Sequence, residues 1–192
     1  MQVLVVSDTH LGASSLDRMP AEVWQMAAEA DVVLHAGDVV EPAVLEALAE
    51  LAEVHAVLGN NDLALRGRLP EVLELSLDAV PVAMVHDSGP RAGRTGRMAR
   101  RFPDARVVVF GHSHDPLVEQ AESGPLLVNP GSPTHRRRQP VHTVGWMQLR
   151  SGQVASAELV EVGPLASSPR RPARPPSALA WCRERGPRRR TA

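Results

Sequence analysis

Short apolar runs recur along this chain, and a polar cluster follows each of them directly. The runs are residues 3–6, 32–34, 54–58, 82–85, 107–110 and 126–128. Segments with apolar residues at helical spacing lie between them. An alternation of continuous apolar runs with helical segments is typical of an α/β fold whose strands are buried on both faces. This pattern constrains the fold more than any other feature of the sequence.

The remaining segments complete the predicted order of elements. Helices are predicted at 20–30, 42–53 and 90–102. The first two carry a proline near their first turn, whereas Gly93 and Gly96 lower the helix propensity of the third. Two further strands are predicted at 141–149 and 153–162, joined by the Ser151-Gly152 turn.

The polar clusters contain residue types that bind metal ions. The candidate ligands are Asp8, His10, Asp38, Asn60, His86, His112 and His114. Ligands of open α/β sheets bind outside the carboxyl ends of the strands, so these clusters would build one convergent site. Residues two apart in an extended strand end point to the same side, so the Asp-x-His and His-x-His spacings predict pairs that face one cavity. The small residues Gly37, Gly59 and Gly111 let the backbone approach closely.

The donor atoms of this set are oxygen and imidazole nitrogen, which suit Mn, Fe, Zn, Co or Ni. The single cysteine, Cys182, excludes a thiolate cluster and a disulfide scaffold. Seven ligands are too many for one tetrahedral zinc and suit two divalent ions that share a carboxylate. Two ions about 3.5 to 4 Å apart clamp a phosphate and convert the water between them into hydroxide.

The order of these motifs resembles the calcineurin-like metallophosphoesterase superfamily. The motifs are Asp8-x-His10, Gly37-Asp38, Gly59-Asn60, His86 and Gly111-His112-x-His114. The compact length and Asn129-Pro130-Gly131-Ser132 are similar to its small prokaryotic phosphodiesterase branch. The resemblance covers roughly residues 1–160 and implies a four-layer α/β/β/α sandwich with mixed sheets and a dinuclear centre at one edge. Manganese is the favoured metal.

The resemblance also implies a role for each motif residue. One ion would be bound by Asp8, His10 and His114, and the other by Asn60, His86 and His112. Asp38 would bridge them, and a hydroxide between the ions would attack phosphorus in line. The catalytic residues would be Asp38, Asn60, His86 and Asn61.

Two positions depart from the family pattern. Many members carry a His after the metal-binding Asn, where this chain has Asn61, and a carboxamide cannot protonate a leaving group. We expect Asn61 at most to donate a hydrogen bond to a phosphate oxygen, and leaving groups such as aryl oxides to be favoured. Asp62 is expected to orient this loop. Asp87 stands where the family often has Gly, and we expect it to cap the following helix rather than to support a ligand imidazole.

Basic residues outside the motifs give weaker evidence of a functional role. Arginines recur every three residues at 91, 94, 97 and 100, and we expect a solvated helix face rather than a substrate-recruiting one. Arg136 to Arg138 pose the same choice. His35 is expected to hold the loop before Asp38, and His55, His135 and His142 have no motif support.

Charge divides the chain into two predicted segments. Residues 1–163 contain 13 Arg against 21 acidic residues, a balance of −8, and are expected to form the phosphoesterase domain. Residues 164–192 contain 8 Arg against the single acid Glu184, a balance of +7, and are expected to be a disordered, dispensable tail. Nucleic-acid binding through this tail, and a homo-oligomer, stay open.

The predicted function is a metal-dependent phosphodiesterase acting on phosphate esters. A nuclease or a phosphomonoesterase is the narrower alternative. A non-catalytic scaffold on the same fold, as in the retromer subunit that resembles phosphoesterases, is the alternative from another class. No basic leader precedes the first strand and no apolar run approaches the roughly 18 residues that span a bilayer, so the expectation is a cytoplasmic protein without membrane partners.

Overall fold

The computed structural model describes residues 1–120 and 124–163. The predicted tail, 164–192, lies outside the described residues, so its disorder stays a prediction. The described strands are β1 Gln2–Val6, β2 Val32–His35, β3 Glu53–Ala56, β4 Val72–Leu77, β5 Val80–Val85, β6 Val107–Val109, β7 Leu117–Gln120, β8 Leu126–Asn129, β9 His142–Arg150 and β10 Gln153–Val162. The described α-helices are α1 Ala21–Glu29, α2 Pro42–Ala49 and α3 Arg94–Arg101.

The strands form two five-stranded sheets, with the orders β10-β9-β1-β2-β3 and β4-β5-β6-β8-β7. In the first sheet β1, β2 and β3 run parallel, and β9 and β10 extend it antiparallel. In the second sheet β5, β6 and β8 run parallel, and the edge strands β4 and β7 are antiparallel to their neighbours. Both sheets are therefore mixed, as predicted.

The side chains of β1 show why its apolar run is continuous. Leu4 and Val6 pack in one core with α1 and α2, whereas Val3 and Val5 pack between the two sheets. Helix α3 covers the outer face of the second sheet through buried Met98. The layers are thus helix, sheet, sheet and helix, which confirms the predicted α/β/β/α sandwich. Burial of both faces is the physical reason for the unbroken valine runs.

Four segments differ from the prediction. Helix α2 ends at Ala49 rather than at residue 53, and Glu53 already belongs to β3. Strands β4 and β7 were not predicted, because each is a half-exposed edge strand in which polar residues interrupt the apolar ones. Helix α3 begins only at Arg94, after Gly93 at φ +67°, so the segment before it forms a turn instead. Among the described residues, no helix has the length and apolar character needed to cross a membrane.

Candidate metal centre

The seven predicted ligands lie together where the two sheets meet. The loops after β1, β2 and β3 of the first sheet carry Asp8 and His10, Asp38, and Asn60. The loops after β5 and β6 of the second sheet carry His86, and His112 and His114. Contacts between the two sets of loops join all seven side chains into one cluster.

One half of the cluster contains Asp8, His10 and His114. The Nε2 atom of His114 lies 3.2 Å from Oδ1 of Asp8 and 3.3 Å from Nε2 of His10. The rings of His10 and His114 are stacked, with centroids 5.2 Å apart. Asp8 and His114 are fully buried. Two ring nitrogens and a carboxylate oxygen therefore converge on one point.

The other half contains Asn60, His86 and His112. The Oδ1 atom of Asn60 lies 3.1 Å from Nε2 of His86 and 2.9 Å from Nδ1 of His112. His112 and His114 thus face different halves, although their spacing predicted a shared cavity. These contacts place Asn60, His86 and His112 together, and their binding of one ion stays a prediction.

Asp38 lies between the halves and points one oxygen at each. Its Oδ2 atom is 3.7 Å from Nε2 of His10, and its Oδ1 atom is 3.4 Å from Nε2 of His86. Burial acts to raise the pKa of Asp38, but contacts from His86 and the backbone N–H of Asn61 outweigh it and lower that pKa well below its usual range. Asp38 is therefore a carboxylate at neutral pH.

The backbone that carries the cluster is not the extended strand end that the spacing argument assumed. The positive-φ ligands are Asp8 at 55°, His10 at 47°, Asp38 at 57°, His112 at 66° and His114 at 55°. The left-handed region is sparsely populated by residues other than glycine. Strained backbone of this kind concentrates at functional sites, where surrounding contacts hold it in place.

Asp62 holds the loop that carries Asp38. Its Oδ2 atom accepts hydrogen bonds from the backbone N–H groups of Asp38 at 3.0 Å and Gly59 at 2.7 Å. Its Oδ1 atom accepts one from Val40 at 2.6 Å. The side chain is only 1% exposed. Asp62 therefore orients this loop, as expected.

The Asn129-Pro130-Gly131-Ser132 segment fixes the loops on the opposite side. The amide of Asn129 donates to the Gly111 carbonyl at 3.1 Å, and the Ser132 hydroxyl donates to the Asp8 carbonyl at 2.8 Å. The segment therefore ties the loop after β6 to the loop after β1. Close packing adds to this restraint, since a Cβ atom on Gly111 would lie 1.9 Å from Oγ of Ser7.

The tautomers of two histidines leave lone pairs directed into the cluster. Nδ1 of His86 lies 2.7 Å from the Ala36 carbonyl, and Nδ1 of His114 contacts the His135 carbonyl. A carbonyl can only accept, so both Nδ1 atoms carry the proton and each neutral ring has its lone pair on Nε2. These lone pairs face Asp38 and Asp8, which are also acceptors. Acceptors facing one another require a proton or a cation between them.

Asp8 supplies a further test of whether a cation fits. Its Oδ2 atom accepts hydrogen bonds from the Ser7 hydroxyl at 2.7 Å and the His112 N–H at 3.1 Å. Its Oδ1 atom is buried and accepts no hydrogen bond from the described residues while Nε2 of His114, 3.2 Å away, carries no proton. Burial acts to raise the pKa of Asp8, but His114 and the Ser7 hydroxyl outweigh it and lower that pKa. A buried carboxylate oxygen of this kind is a suitable ligand for a divalent ion.

The pKa values of His10 and His86, in opposite halves of the cluster, shift in opposite directions. Burial lowers the pKa of His10, so its imidazole is neutral and able to bind a metal at neutral pH. Burial also acts to lower the pKa of His86, but the hydrogen bonds to Asp38 and the Ala36 carbonyl outweigh it and raise that pKa. A proton on His86 would meet the same acceptors that a metal ion would, so protons and metal compete there.

The two residues that depart from the family pattern, Asn61 and Asp87, make contacts that the sequence did not predict. The Asn61 side-chain amide donates to Oδ2 of Asp38 at 2.7 Å, and its backbone N–H donates to Oδ1 at 2.8 Å. Asn61 thus contacts the central carboxylate, and its contact with a phosphate oxygen stays a prediction. Asp87 accepts from the Gly89 N–H at 2.7 Å within a turn. The helix cap predicted for Asp87 is wrong, because α3 begins seven residues later, at Arg94.

Sequence reasoning missed His135. Its ring lies edge-on to those of His10 and His114, with centroids 5.4 Å away in both cases. The three histidines can each offer a ring nitrogen within 4.8 Å of the others. The available signal was the Asn129 motif, which places the following loop beside Asp8. His35 is buried with Nε2 3.1 Å from the Thr9 hydroxyl, in the loop after β1, and its support of the loop before Asp38 stays a prediction.

The arginine stripe is not a uniformly solvated face. Arg94 is only 9% exposed, and its guanidinium carbon lies 4.9 Å from the centre of the Phe110 ring. Arg97 donates to the Ser88 carbonyl through Nε at 3.0 Å and Nη2 at 2.8 Å. The expectation of a solvated face is therefore wrong for Arg94, which packs on the second sheet.

Two probable metallophosphoesterases from archaea are similar to this chain in sequence. The chain is 33% identical to a probable metallophosphoesterase of Methanocaldococcus jannaschii over 137 residues, which are 70% of this chain and 69% of the relative. It is 30% identical to a probable metallophosphoesterase of Methanothermobacter thermautotrophicus over 166 residues, or 85% of this chain and 94% of the relative.

Solved structures show the same architecture at lower identity. A Vps29 variant from Entamoeba histolytica is 22% identical, with a TM-score of 0.67 over 85% of this chain and 100% of that one. An archaeal phosphodiesterase is 19% identical, with a TM-score of 0.62 over 83% of this chain and 100% of that one. Residues 1–152 match the calcineurin-like phosphoesterase superfamily domain. The chain therefore belongs to the calcineurin-like phosphoesterase superfamily.

Proposed function

We propose that this chain is a dinuclear metal-dependent phosphodiesterase. The observation that carries the proposal is the position of Asp38, whose two oxygens face Nε2 of His10 at 3.7 Å and Nε2 of His86 at 3.4 Å. One carboxylate directed at two sets of ring nitrogens is the arrangement that a pair of divalent ions requires. Membership of the superfamily and the fold shared with an archaeal phosphodiesterase support it.

The chain provides ligands for two ions. Asp8, His10 and His114 would hold one ion, Asn60, His86 and His112 the other, and Asp38 both. When bound, two divalent ions lower the pKa of water and stabilise the charge of a phosphoryl group. Manganese is the favoured metal, and Fe, Zn, Co and Ni suit the same nitrogen and oxygen donors.

Asn61 restricts the leaving groups that this site can release. Its amide lies against Asp38 and, as a carboxamide, cannot donate a proton near neutral pH. The ester oxygen must therefore leave without a proton from this position. We expect aryl phosphodiesters to be good substrates, with a rate that falls steeply as the pKa of the leaving alcohol rises.

Hydrolysis of bis(4-nitrophenyl) phosphate with added Mn²⁺ tests the proposal. Asp38→Ala and His112→Ala should lower kcat/KM more than about a hundredfold, because even residues that only support a metal ligand contribute about 10- to 100-fold. Glu46→Ala removes an exposed charge on α2, away from the cluster, and serves as the control. Metal analysis should find about two ions per wild-type chain. If the wild-type protein binds no metal and its kcat/KM equals that of both site variants, the proposed enzyme activity is excluded.

A non-catalytic interaction module is the second candidate, because a Vps29 structure has the same fold. The two candidates differ in the assay above, since a module has no turnover that depends on Asp38. Hydrolysis of 4-nitrophenyl phosphate and of a single-stranded oligonucleotide, measured beside the diester, separates the phosphomonoesterase and nuclease alternatives from the proposed activity.

A further inference from the structure

A groove of about 680 Å³ opens beside one half of the metal centre. Asn60, His86 and His112 form the end of the groove at the centre. Its other walls come from the segment after Asn60, from Val85 and from the end of α3. This volume is within the range of about 300 to 1,000 Å³ that is typical of small-molecule sites. The groove therefore has room for a substrate portion beyond the phosphate that reacts.

Two arginines line this groove, Arg66 from the loop and Arg101 from the last residue of α3. Both are exposed, and neither pairs with an acidic side chain of the described residues. The Arg101 guanidinium carbon lies 5.1 Å from the centre of the Phe102 ring, a contact that leaves its N–H groups available. A planar guanidinium with available N–H groups is suited to bidentate contact with phosphate.

The rest of the groove lining is partly apolar and partly acidic. Leu58, Leu69 and Val85 provide the apolar part of the lining. The lining acids are Asp87, whose Oδ1 accepts from the Gly89 N–H, and Glu71. Two acids balance the two arginines in number, so overall charge does not attract anions here. Selectivity must come from local contacts with the guanidinium groups.

We propose that this groove, called the arginine groove below, selects phosphodiesters in which one alcohol group carries a second phosphate. The apolar surface would contact the spacer between the two phosphates, and Arg66 and Arg101 would bind the second phosphate. The inference rests on the proposed phosphodiesterase function and adds its substrate class.

A matched pair of substrates tests the inference on the full chain with Mn²⁺. The pair is thymidine 5′-(4-nitrophenyl phosphate) and the same compound with a 3′-phosphate. Both release 4-nitrophenolate from the same diester, so they differ only in the second phosphate. We expect the wild type to prefer the phosphorylated compound by about tenfold in kcat/KM, as one or two exposed charge-assisted contacts provide.

Arg66→Ala and Arg101→Ala should each reduce this preference by about threefold or more, while hydrolysis of the unphosphorylated compound changes by less than about twofold. Arg100→Ala is the control, because it removes the same charge from the neighbouring position of α3 but does not line the groove. Arg66→Lys should keep part of the preference, since it keeps the charge. Added salt should weaken the preference in the wild type.

The outcomes separate this inference from the proposed function. Equal rates for the two compounds in the wild type, or a preference that survives both arginine variants, would overturn the inference and leave a phosphodiesterase. If the protein hydrolyses none of the three compounds, bis(4-nitrophenyl) phosphate included, the proposed function is overturned, and this inference with it.

Discussion

Substitution of Asp62 by Asn should destabilise the protein by an amount that the structure allows us to work out. The carboxylate is 1% exposed and accepts three backbone hydrogen bonds, two at Oδ2 and one at Oδ1. The substitution keeps the shape of the side chain but replaces one acceptor oxygen by an NH₂ donor. When the amide oxygen takes the Oδ2 position, the backbone N–H of half-buried Val40 faces the NH₂ donor.

The expected loss combines one broken hydrogen bond with two weakened ones. A buried N–H left without an acceptor costs about 1 to 3 kcal/mol, and the half-buried N–H of Val40 falls at the lower end of this range. The two remaining bonds change from a charged acceptor to a neutral one, at about 0.5 to 1 kcal/mol each. We therefore expect the free energy of unfolding to fall by about 3 kcal/mol.

Urea unfolding of the metal-free protein near neutral pH measures this loss, with circular dichroism as the probe. Asp87→Asn is the matched control, because Asp87 is exposed and accepts one hydrogen bond, from Gly89 within its own turn. The control should lose less than about 0.5 to 1 kcal/mol. Mn²⁺ affinity of Asp62→Asn should also fall by about 10- to 100-fold, since Asp62 anchors the backbone N–H of Asp38.

A loss of less than about 1 kcal/mol in Asp62→Asn, or a loss no larger than that of Asp87→Asn, with an unchanged dependence on urea concentration, would refute the stabilising role of the Asp62 carboxylate. A loss of stability with unchanged Mn²⁺ affinity would contradict the second step alone, the coupling of this loop to the metal centre.

Three further predictions concern the surroundings of the ligands. Gly59→Ala would place a Cβ atom 2.1 Å from the Asp38 backbone nitrogen, so we expect loss of Mn²⁺ binding in calorimetry and destabilisation of about 3 kcal/mol or more; wild-type affinity would contradict this. Burial lowers the pKa of His35 to about 4. The unfolded chain, with a His pKa of about 6.5, binds more protons than the native state below about pH 6.5. The free energy of unfolding therefore decreases as the pH is lowered, by about 2 kcal/mol from about pH 7.5 to about pH 5. His35→Gln should lack this share in urea unfolding at the two pH values, and an equal pH dependence in both proteins would refute it. His135→Ala should weaken Mn²⁺ binding by about tenfold with little change in urea stability, and unchanged binding would show that His135 takes no part in the site.

The central strands could be predicted from the sequence because their physical environment leaves a simple pattern. In β1, β2, β5 and β6 both faces are buried, so nearly every residue is apolar. The edge strand β4 has alternating burial and reads VLELSL, in which no continuous run exists. Its alternation of Leu with Glu and Ser is a local signal of a half-buried hairpin strand, since Leu77 pairs with Val80 across the two-residue turn at Asp78 and Ala79, but a criterion of continuous apolar runs does not detect it.

The clustering of the candidate ligands could be predicted because each follows a strand, whereas their backbone conformation could not. The spacing argument assumed extended chain, yet His10 and His114 both have positive φ and meet through long-range packing. His135 does not directly follow a predicted strand. The hydrogen bonds of Ser132 with the Asp8 carbonyl and the His135 N–H, and the contact of His114 with the His135 carbonyl, hold its loop at the centre. Such a position results from tertiary contacts.

Five ligands in the left-handed region imply a cost that other residues must offset. A positive φ costs a residue other than glycine about 1 kcal/mol or more, so five together cost an amount comparable with the whole stability of a typical domain, about 5 to 15 kcal/mol. The hydrogen bonds of Asp62, Asn129 and Ser132 to the ligand loops oppose this cost. The geometry of the centre therefore depends on residues that touch no metal, and substitutions there should impair metal binding and stability together.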